Sequence, residues 1–386
     1  LHGGPARTHE RASPLGARRV GALITEAIGA LERLVPIVVF LLAITVVAEI
    51  AERAGVFDVA GHWVAHAGRH RAWALWVLFA LLAGLCTVVL SVDTTAVLLT
   101  PVGLAVARQV GLDARLFAVT TLWIANTGSL LLPVSNLTNL LALHSFQRQG
   151  LGHGDYLALA WAPALACVVV TLLLLVVLHR RTLAARYEVD PPADPHDPVL
   201  LRWAAVVCIA LGPLFAAGAP PWAVSLVAAA LLLSVGLWRA PDLLRGLPVP
   251  WLMAAGFVAV AVSVEVLHRH GLDAVVDRVV PSGTGATALL AVAGLGAGLA
   301  NVVNNLPAYL IIEPAVADSS TRLMALLVGV NAGPLATPWA SLATLLRLAR
   351  RRSVGVAIPW RWLVPAGAAC ALLSVAAGTV ALALVT

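Results

Sequence analysis

The sequence predicts an all-α polytopic membrane protein made of two inverted-topology repeats, each with a re-entrant helical hairpin and a broken transmembrane helix. Three observations predict this. The 386-residue chain is 60% hydrophobic and only 11% charged, with a mean hydropathy of +0.93, whereas soluble domains carry about 25% charged residues. Its apolar runs, Leu34–Ile50, Ala72–Leu90, Tyr156–Leu178, Trp203–Ala217, Trp222–Trp238, Trp251–Leu267 and Trp362–Val385, approach the ~20 residues a helix needs to cross a bilayer. Short polar islands interrupt other apolar stretches, and they do so in the same order in both halves. Alternating strand-like segments are absent, which speaks against a β-barrel.

Residues 1–33 read as a polar, mobile or truncated amino-terminal segment: the chain starts on Leu, and residues 1–19 carry Arg without periodicity or the apolar centre of a signal peptide. Residues 34–178 form the first transport repeat. It opens with "FLLAITVVAEIAERAG" (Phe40–Gly55) and continues with Phe57–Arg71, whose pattern fits an amphipathic helix lying at the interface. His62, His66 and His70 have helical spacing there, and an interfacial helix explains them better than a metal set. The island "LSVDTTAVLLTP" (Leu90–Pro101) reads as a hairpin tip, and "NTGSLLLPVSNLTNLL" (Asn126–Leu141) as the broken helix. Residues 179–202 carry both signs of charge and several prolines and form a cytoplasmic linker. Residues 203–386 are the second transport repeat, with "FVAVAVSVEVLHRHG" (Phe257–Gly271), "ANVVNNLPAYLI" (Ala300–Ile311) and "NAGPLATPWASLATLL" (Asn331–Leu346). The Asn, Gly and Pro of the two broken stretches fall in register without a gap.

Every basic residue is Arg and the formal charge is +6, which in a membrane protein bears on orientation and not on nucleic acid, for which no partner is expected. With the linker inside and each island a hairpin that does not cross, Arg108, Arg115, Arg180, Arg181, Arg239 and Arg347 lie on the cytoplasmic side. Arg148, Arg269, Arg278 and Arg322 lie outside. That bias follows the positive-inside rule and puts the repeats in opposite orientations. The amino-terminal arginines fall outside by this count, and the helices at 203–217 and 222–238 lack counterparts in the first half. A chain missing two leading helices would show both features. The cysteines, Cys86, Cys167, Cys208 and Cys370, stand alone in apolar runs without metal-ligand spacing and are read as packing residues.

Non-helical backbone at membrane depth survives only where it is buried in protein or lines a watery cavity. Four such breaks in duplicate are the pattern of a secondary transporter with its site near the midplane. The candidates for binding substrate are Asn126, Thr127, Gly128, Ser129 and Asn136 in the first repeat, with Asn304, Asn305, Asn331, Gly333, Thr337 and Ser341 in the second. Asn126, Thr127, Gly128 and Asn136 are expected to face Asn331, Gly333, Thr337 and Ser341. At the first tip Asp93 stands out, because an ionisable group in an apolar segment costs ~2.5–3.5 kcal/mol on insertion scales. Capping of the second hairpin helix and proton or cation coupling are both open to it, with Thr94 and Ser91 beside it. Glu49 and Glu265 are read as solvated or interfacial carboxylates, with a gating role as the alternative, and Glu313, which precedes Pro314, as lying at the outer end of its hairpin.

These motifs resemble those of the bacterial arsenite efflux permeases, a branch of the ion transporter superfamily that also holds sodium-coupled dicarboxylate transporters. The likeness runs from about Leu34 to the end and is strongest at Asp93–Ala105, Ile124–Ala142, Asn301–Ala308 and Asn331–Leu348. It implies a scaffold and a transport domain, the two hairpins and two broken helices named above, a homodimer as in the dicarboxylate branch, and a separate ATPase subunit that can be recruited. The chain departs from the arsenite pattern, which has Asn-Asp at Val92-Asp93, an acidic residue at Asn126 and Asn331, and Lys at Leu335.

The expected activity is therefore export of arsenite or antimonite across the cell membrane in exchange for protons. The alternative is sodium- or proton-coupled transport of a carboxylate or other small anion. No cofactor is expected beyond a coupling ion, H+ or Na+, and no nucleotide motif occurs in a chain without Lys. A non-transporting receptor or scaffold would tolerate changes at Asn126 and Asn331. An enzyme is disfavoured because no island joins a nucleophile to a base, a metal triad or paired carboxylates.

Overall fold

Seven helices in the computed structural model are long and apolar enough to cross a membrane: Leu34–Arg53, Ala72–Leu90, His153–Leu183, Pro198–Ala216, Pro221–Arg239, Ala286–Val303 and Trp360–Val385. The structure describes residues 14–188, 197–249, 251–337, 340 and 359–386, the side chains of 14–33, 93, 97, 98, 101 and 253 excepted. Among the described residues there are no strands, only an isolated bridge between Arg71 and Arg186.

The chain opens with α1 (Pro14–Arg53), α2 (Val56–Ala67), α3 (Ala72–Leu90), α4 (Val92–Gln109) and α5 (Ala114–Thr127). A 3-10 turn (Pro133–Ser135) leads to α6 (Leu137–Arg148) and the long α7 (His153–Leu183). Two further helices, α8 (Pro198–Ala216) and α9 (Pro221–Arg239), precede the short α10 (Pro241–Leu244), then α11 (Trp251–Leu267), a π turn and α12 (Asp273–Val279). The chain closes with α13 (Ala286–Val303), α14 (Asn305–Val316), α15 (Ser320–Ala332) and α16 (Trp360–Val385).

Two sequence readings change here. The helix α1 starts at Pro14, so residues 14–19, read as part of an irregular end, are helical; Ala, Leu, Glu and Arg in the stretch that follows are strong helix formers. The α1 helix crosses the 33/34 boundary and α7 runs to Leu183, so the linker starts inside a helix, near the departure of His179 from helical dihedrals (φ −119°, ψ 21°). The chain after α7 is then tied back to the α2–α3 turn by Tyr187 N, which donates to His70 O at 3.1 Å, and to α2 by the Tyr187 hydroxyl, which donates to Ala65 O at 2.6 Å. Burial raises the Tyr187 phenol above its usual range. At the other end of the linker Asp197 caps α8, accepting from Leu200 N and Val199 N at 2.8 and 2.9 Å, and these amides hold its carboxyl below the usual range.

Burial separates the helices by role. Leu116–Thr127 of α5 and Arg322–Ala332 of α15 are buried without a break, as expected of helices enclosed on all sides. By contrast α8 and α9 leave large apolar side chains open, with Ile209 at 74%, Val227 at 69% and Trp238 at 77% exposure. Such a surface is costly in water and neutral against lipid tails. The buried helices are therefore enclosed by other helices, α5 by α3, α4 and α7 and α15 by α13, α14 and α16, while α8 and α9 pack against α1.

The order hairpin, turn, buried helix, break recurs in the two halves. Each hairpin turns on a non-glycine residue with positive φ: Ser91 at φ 94°, ψ 161° and Asn304 at φ 92°, ψ 157°. Non-glycine residues in such regions are strained by ~1–3 kcal/mol, so the same strained pair at the same place is a structural signature of the repeat. Gly55 (φ 86°) and Gly271 (φ 99°) also correspond. The carboxylates before them form matching pairs, Glu49 with Arg53 at 3.0 Å and Glu265 with Arg269 at 3.2 Å, which agrees with their reading as interfacial groups.

Candidate functional site

In each repeat the hairpin tip sits against the break of the buried helix that follows it. The 3-10 turn after α5 reaches α3 through Ser135, whose hydroxyl donates to Val88 O at 3.0 Å. Asn301, three residues before its tip as Val88 is before Ser91, accepts the Thr337 hydroxyl on its carbonyl at 2.8 Å. The Asn301 side chain does more: Nδ2 donates to Gly333 O at 2.8 Å, and Oδ1 accepts from Thr337 N at 3.1 Å and Ala336 N at 3.2 Å. Asn305 N donates to Ala340 O at 3.0 Å. The second break is thus held open by one asparagine that pairs the freed backbone groups.

The two repeats meet at Asn331, in the last turn of α15. Its Oδ1 accepts from Asn136 Nδ2 at 2.7 Å and Thr138 Oγ1 at 3.1 Å, and its Nδ2 donates to Asn139 Oδ1 at 2.7 Å. Asn139 Nδ2 in turn donates to Ser129 O at 2.7 Å and Leu132 O at 3.2 Å, bridging the first break. Asn136 also caps α6, its Oδ1 accepting from Thr138 N. All four side chains are buried except for a few per cent of Asn136. In a low-dielectric interior this closed network fixes the relative position of the two broken helices.

The expected facing of Asn136 and Asn331 is therefore met by a direct hydrogen bond, while Gly333 and Thr337 gather around Asn301 and not around the first repeat. The reason is local, since Asn301 lies on the arm of the hairpin nearest the second break. Gly333 is needed for close packing: a Cβ there would run into Gly329 O and Ala297 Cβ. Ser341 lies outside the described residues. Asn126, the repeat counterpart of Asn331, donates to Leu122 O at 2.9 Å in its own helix, and Thr127 and Ser129 likewise bond carbonyls of that helix, Trp123 O at 2.9 Å and Asn126 O at 2.7 Å. Gly128 ends α5. Thr127 also accepts from Thr171 Oγ1 on α7 at 3.0 Å.

At the first tip Ser91 occupies the N-cap position of α4 and donates to Thr94 Oγ1 at 3.2 Å. Asp93 is in the first turn of α4. At the second tip Asn304 and Asn305 both accept from Leu306 N, at 3.3 and 2.9 Å. Among the described residues, three buried polar atoms of α4 and α5 have no hydrogen-bond partner: Thr95 Oγ1, Trp123 Nε1 and Asn126 Oδ1. They stand on α4 and α5, which pack together, and offer two acceptors and a donor in a region where an unmet polar group costs about 1–3 kcal/mol.

Sequence reasoning missed Thr138, Asn139, Asn301, Thr95 and Trp123. Asn139 was marked by its spacing, one turn after Asn136 on the same helix face, and Asn301 by the same spacing before Asn304. Nothing in the sequence distinguishes Thr95 or Trp123.

The chain as a whole has counterparts among known proteins. A profile described as citrate transporter matches residues 17–344. The chain belongs to the citrate transporter family. An arsenical pump membrane protein of Yersinia enterocolitica is 28% identical over 352 residues, covering 84% of this chain and 81% of that one. An arsenical pump membrane protein of Escherichia coli is 27% identical over 354 residues with the same coverage. An uncharacterized transporter of Mycobacterium tuberculosis is 25% identical over 298 residues, 73% of this chain and 68% of that one. Among solved structures, the Alcanivorax borkumensis YdaH transporter aligns with a TM-score of 0.62 at 16% identity over 99% of this chain and 92% of that one, a likeness of fold. This member of the citrate transporter family is accordingly a multi-pass transporter of the cell membrane.

Proposed function

We propose that this transporter exports arsenite or antimonite in exchange for protons. The observation that carries the reading is the chemistry of the buried site: Asn126, Asn136, Asn139, Asn331, Thr95, Thr138 and Trp123 supply neutral donors and acceptors. Arsenous acid is a small polyhydroxyl, un-ionised near neutral pH, and suits such a surface, and the long arsenical pump relatives support it. Asp93 is the proposed proton carrier, placed in the first turn of α4 beside Ser91 and Thr94. The substrate contacts fall to the first-repeat groups with spare capacity, Thr95, Trp123 and Asn126, with Asn304, Asn305 and Ser341 completing the site from the second repeat. The inverted orientation of the repeats gives the site its two accessible sides. No cofactor is required beyond the coupling ion.

The test is arsenite flux in vesicles at imposed pH gradients. Wild-type flux should follow the gradient and Asp93→Asn flux should not; flux by Asp93→Asn that still tracks the gradient removes Asp93 from the mechanism. The family match favours a second reading, coupled transport of a carboxylate. Sodium-dependent citrate uptake without arsenite flux selects it.

A further inference from the structure

The buried carboxylate of Glu313 is placed where no solvated role explains it. It is 4% exposed, although the sequence places it at the outer end of a hairpin. It lies near the end of α14 and accepts from Ser145 Oγ of α6 at 2.6 Å. Arg148 Nη2 donates to the same hydroxyl at 2.8 Å and stands 3.9 Å from Glu313 Oε1. One step further along, Gln149 Nε2 donates to Ala317 O at 2.9 Å. The Arg148 side chain is 57% exposed, so the pair joins a buried carboxylate to an exposed guanidinium.

The position of this joint matters more than its strength. On α6, Ser145 follows Thr138 by seven residues, about 10 Å along the helix, and Asn136, Thr138 and Asn139 at the near end hold Asn331. On α14, Glu313 follows Asn305 by eight residues, about 12 Å, and Asn305 N holds Ala340 O beyond the second break. Two helices from different repeats are thus anchored at their near ends to the two sides of the α15 break and pinned together at their far ends by Glu313 on Ser145, with Gln149 on Ala317 O beside it.

We propose that Glu313 is a proton-linked positioning residue: ionised, it pins α6 to α14 and holds the Asn331 network in place; protonated, it gives up the attraction of Arg148 and lets the two helices part. Three pairs account for most of the other charges around α14. His268, whose ring contacts Leu310 O, pairs with Asp273; Glu265 pairs with Arg269, and Arg322 with Asp318 at 2.8 Å. Asp277 and Arg278 lie on α12, and α13 carries no charged residue. On α6 the remaining titratable group, His144, lines a cavity against α1 and the α8–α9 turn. The inference rests on the transport reading only in what the movement is for.

The test therefore reads the joint without substrate. A Gln149→Cys, Ala317→Cys pair in the full chain, reconstituted in vesicles, is treated with a short bifunctional thiol reagent across a pH series. The yield should fall as the pH is lowered, Glu313→Gln should give a low yield at every pH, and Glu313→Asp should keep the pH response. If Glu313→Gln fails to fold, Ser145→Ala should lower the yield at high pH and keep a pH response. A yield that ignores pH, or a Glu313→Gln response equal to that of the parent, overturns the proposal. Arsenite flux with a pH-independent yield sinks the joint and leaves the transporter reading standing. A pH-dependent yield in a chain that moves no arsenite does the reverse.

Discussion

Asn126 and Asn331 occupy equivalent places in the two repeats, yet their side chains are bonded differently. Asn331 is saturated by three partners from α6, whereas Asn126 spends its amide on its own helix and leaves Oδ1 unpaired among the described residues. Asn331→Ala should therefore behave as a structural lesion, since it strands Asn136 Nδ2 and Asn139 Oδ1 at about 1–3 kcal/mol each. A clear drop in the thermal unfolding midpoint of the purified protein is the expected result. Asn126→Ala should cost under about 1 kcal/mol, because it gives up one bond to a carbonyl that α5 already uses, and should abolish flux while leaving unfolding unchanged. The reverse order of effects would exchange the roles of the two residues. The sequence marked both asparagines by their register. It could not mark the difference, because hydrogen-bond partners 192–195 residues apart are set by packing.

At the scale of elements, the hairpins and breaks were legible as polar islands in apolar runs, and the turning residue was not. The first tip is centred on Ser91, two residues before the Asp93 that charge singles out. Serine carries no compositional signal for positive φ, unlike Gly or Asn. Asn304→Gly should accordingly be tolerated or stabilising by about 1 kcal/mol, and Ser91→Val destabilising by about 1–3 kcal/mol, as read from unfolding in detergent. The buried helix α15 approaches α13 through glycine: a Cβ on Gly329 would strike Ala293 O, and one on Gly296 would meet Leu326 Cδ1 at 2.9 Å. Gly329→Val should abolish accumulation of folded protein, whereas valine at Gly294, which has open space around it, should not. Equal accumulation of both variants would count against this close approach.

At the scale of the molecule, the apolar runs read from sequence correspond to the helices of the structure, and the two without first-repeat counterparts are α8 and α9, which pack against α1 and leave apolar faces open. The opposite orientation expected of the repeats makes a prediction for the short turns before the two buried helices. Cysteines placed at Gly111, between α4 and α5, and at Ala317, between α14 and α15, should react with a membrane-impermeant thiol reagent from opposite sides. Labelling of both from one side would refute the inversion. Composition, the periodic runs and the polar islands by themselves determined the membrane class and the helical architecture, because each follows from the cost of exposing polar backbone or charge to hydrocarbon and is written locally in the chain. Only the tertiary structure decided that Asn331 binds α6, that Asn301 holds the second break and that Glu313 is buried against Ser145. Those facts depend on which helices are brought within 3 Å of one another, and close packing between distant segments leaves no local pattern in the sequence.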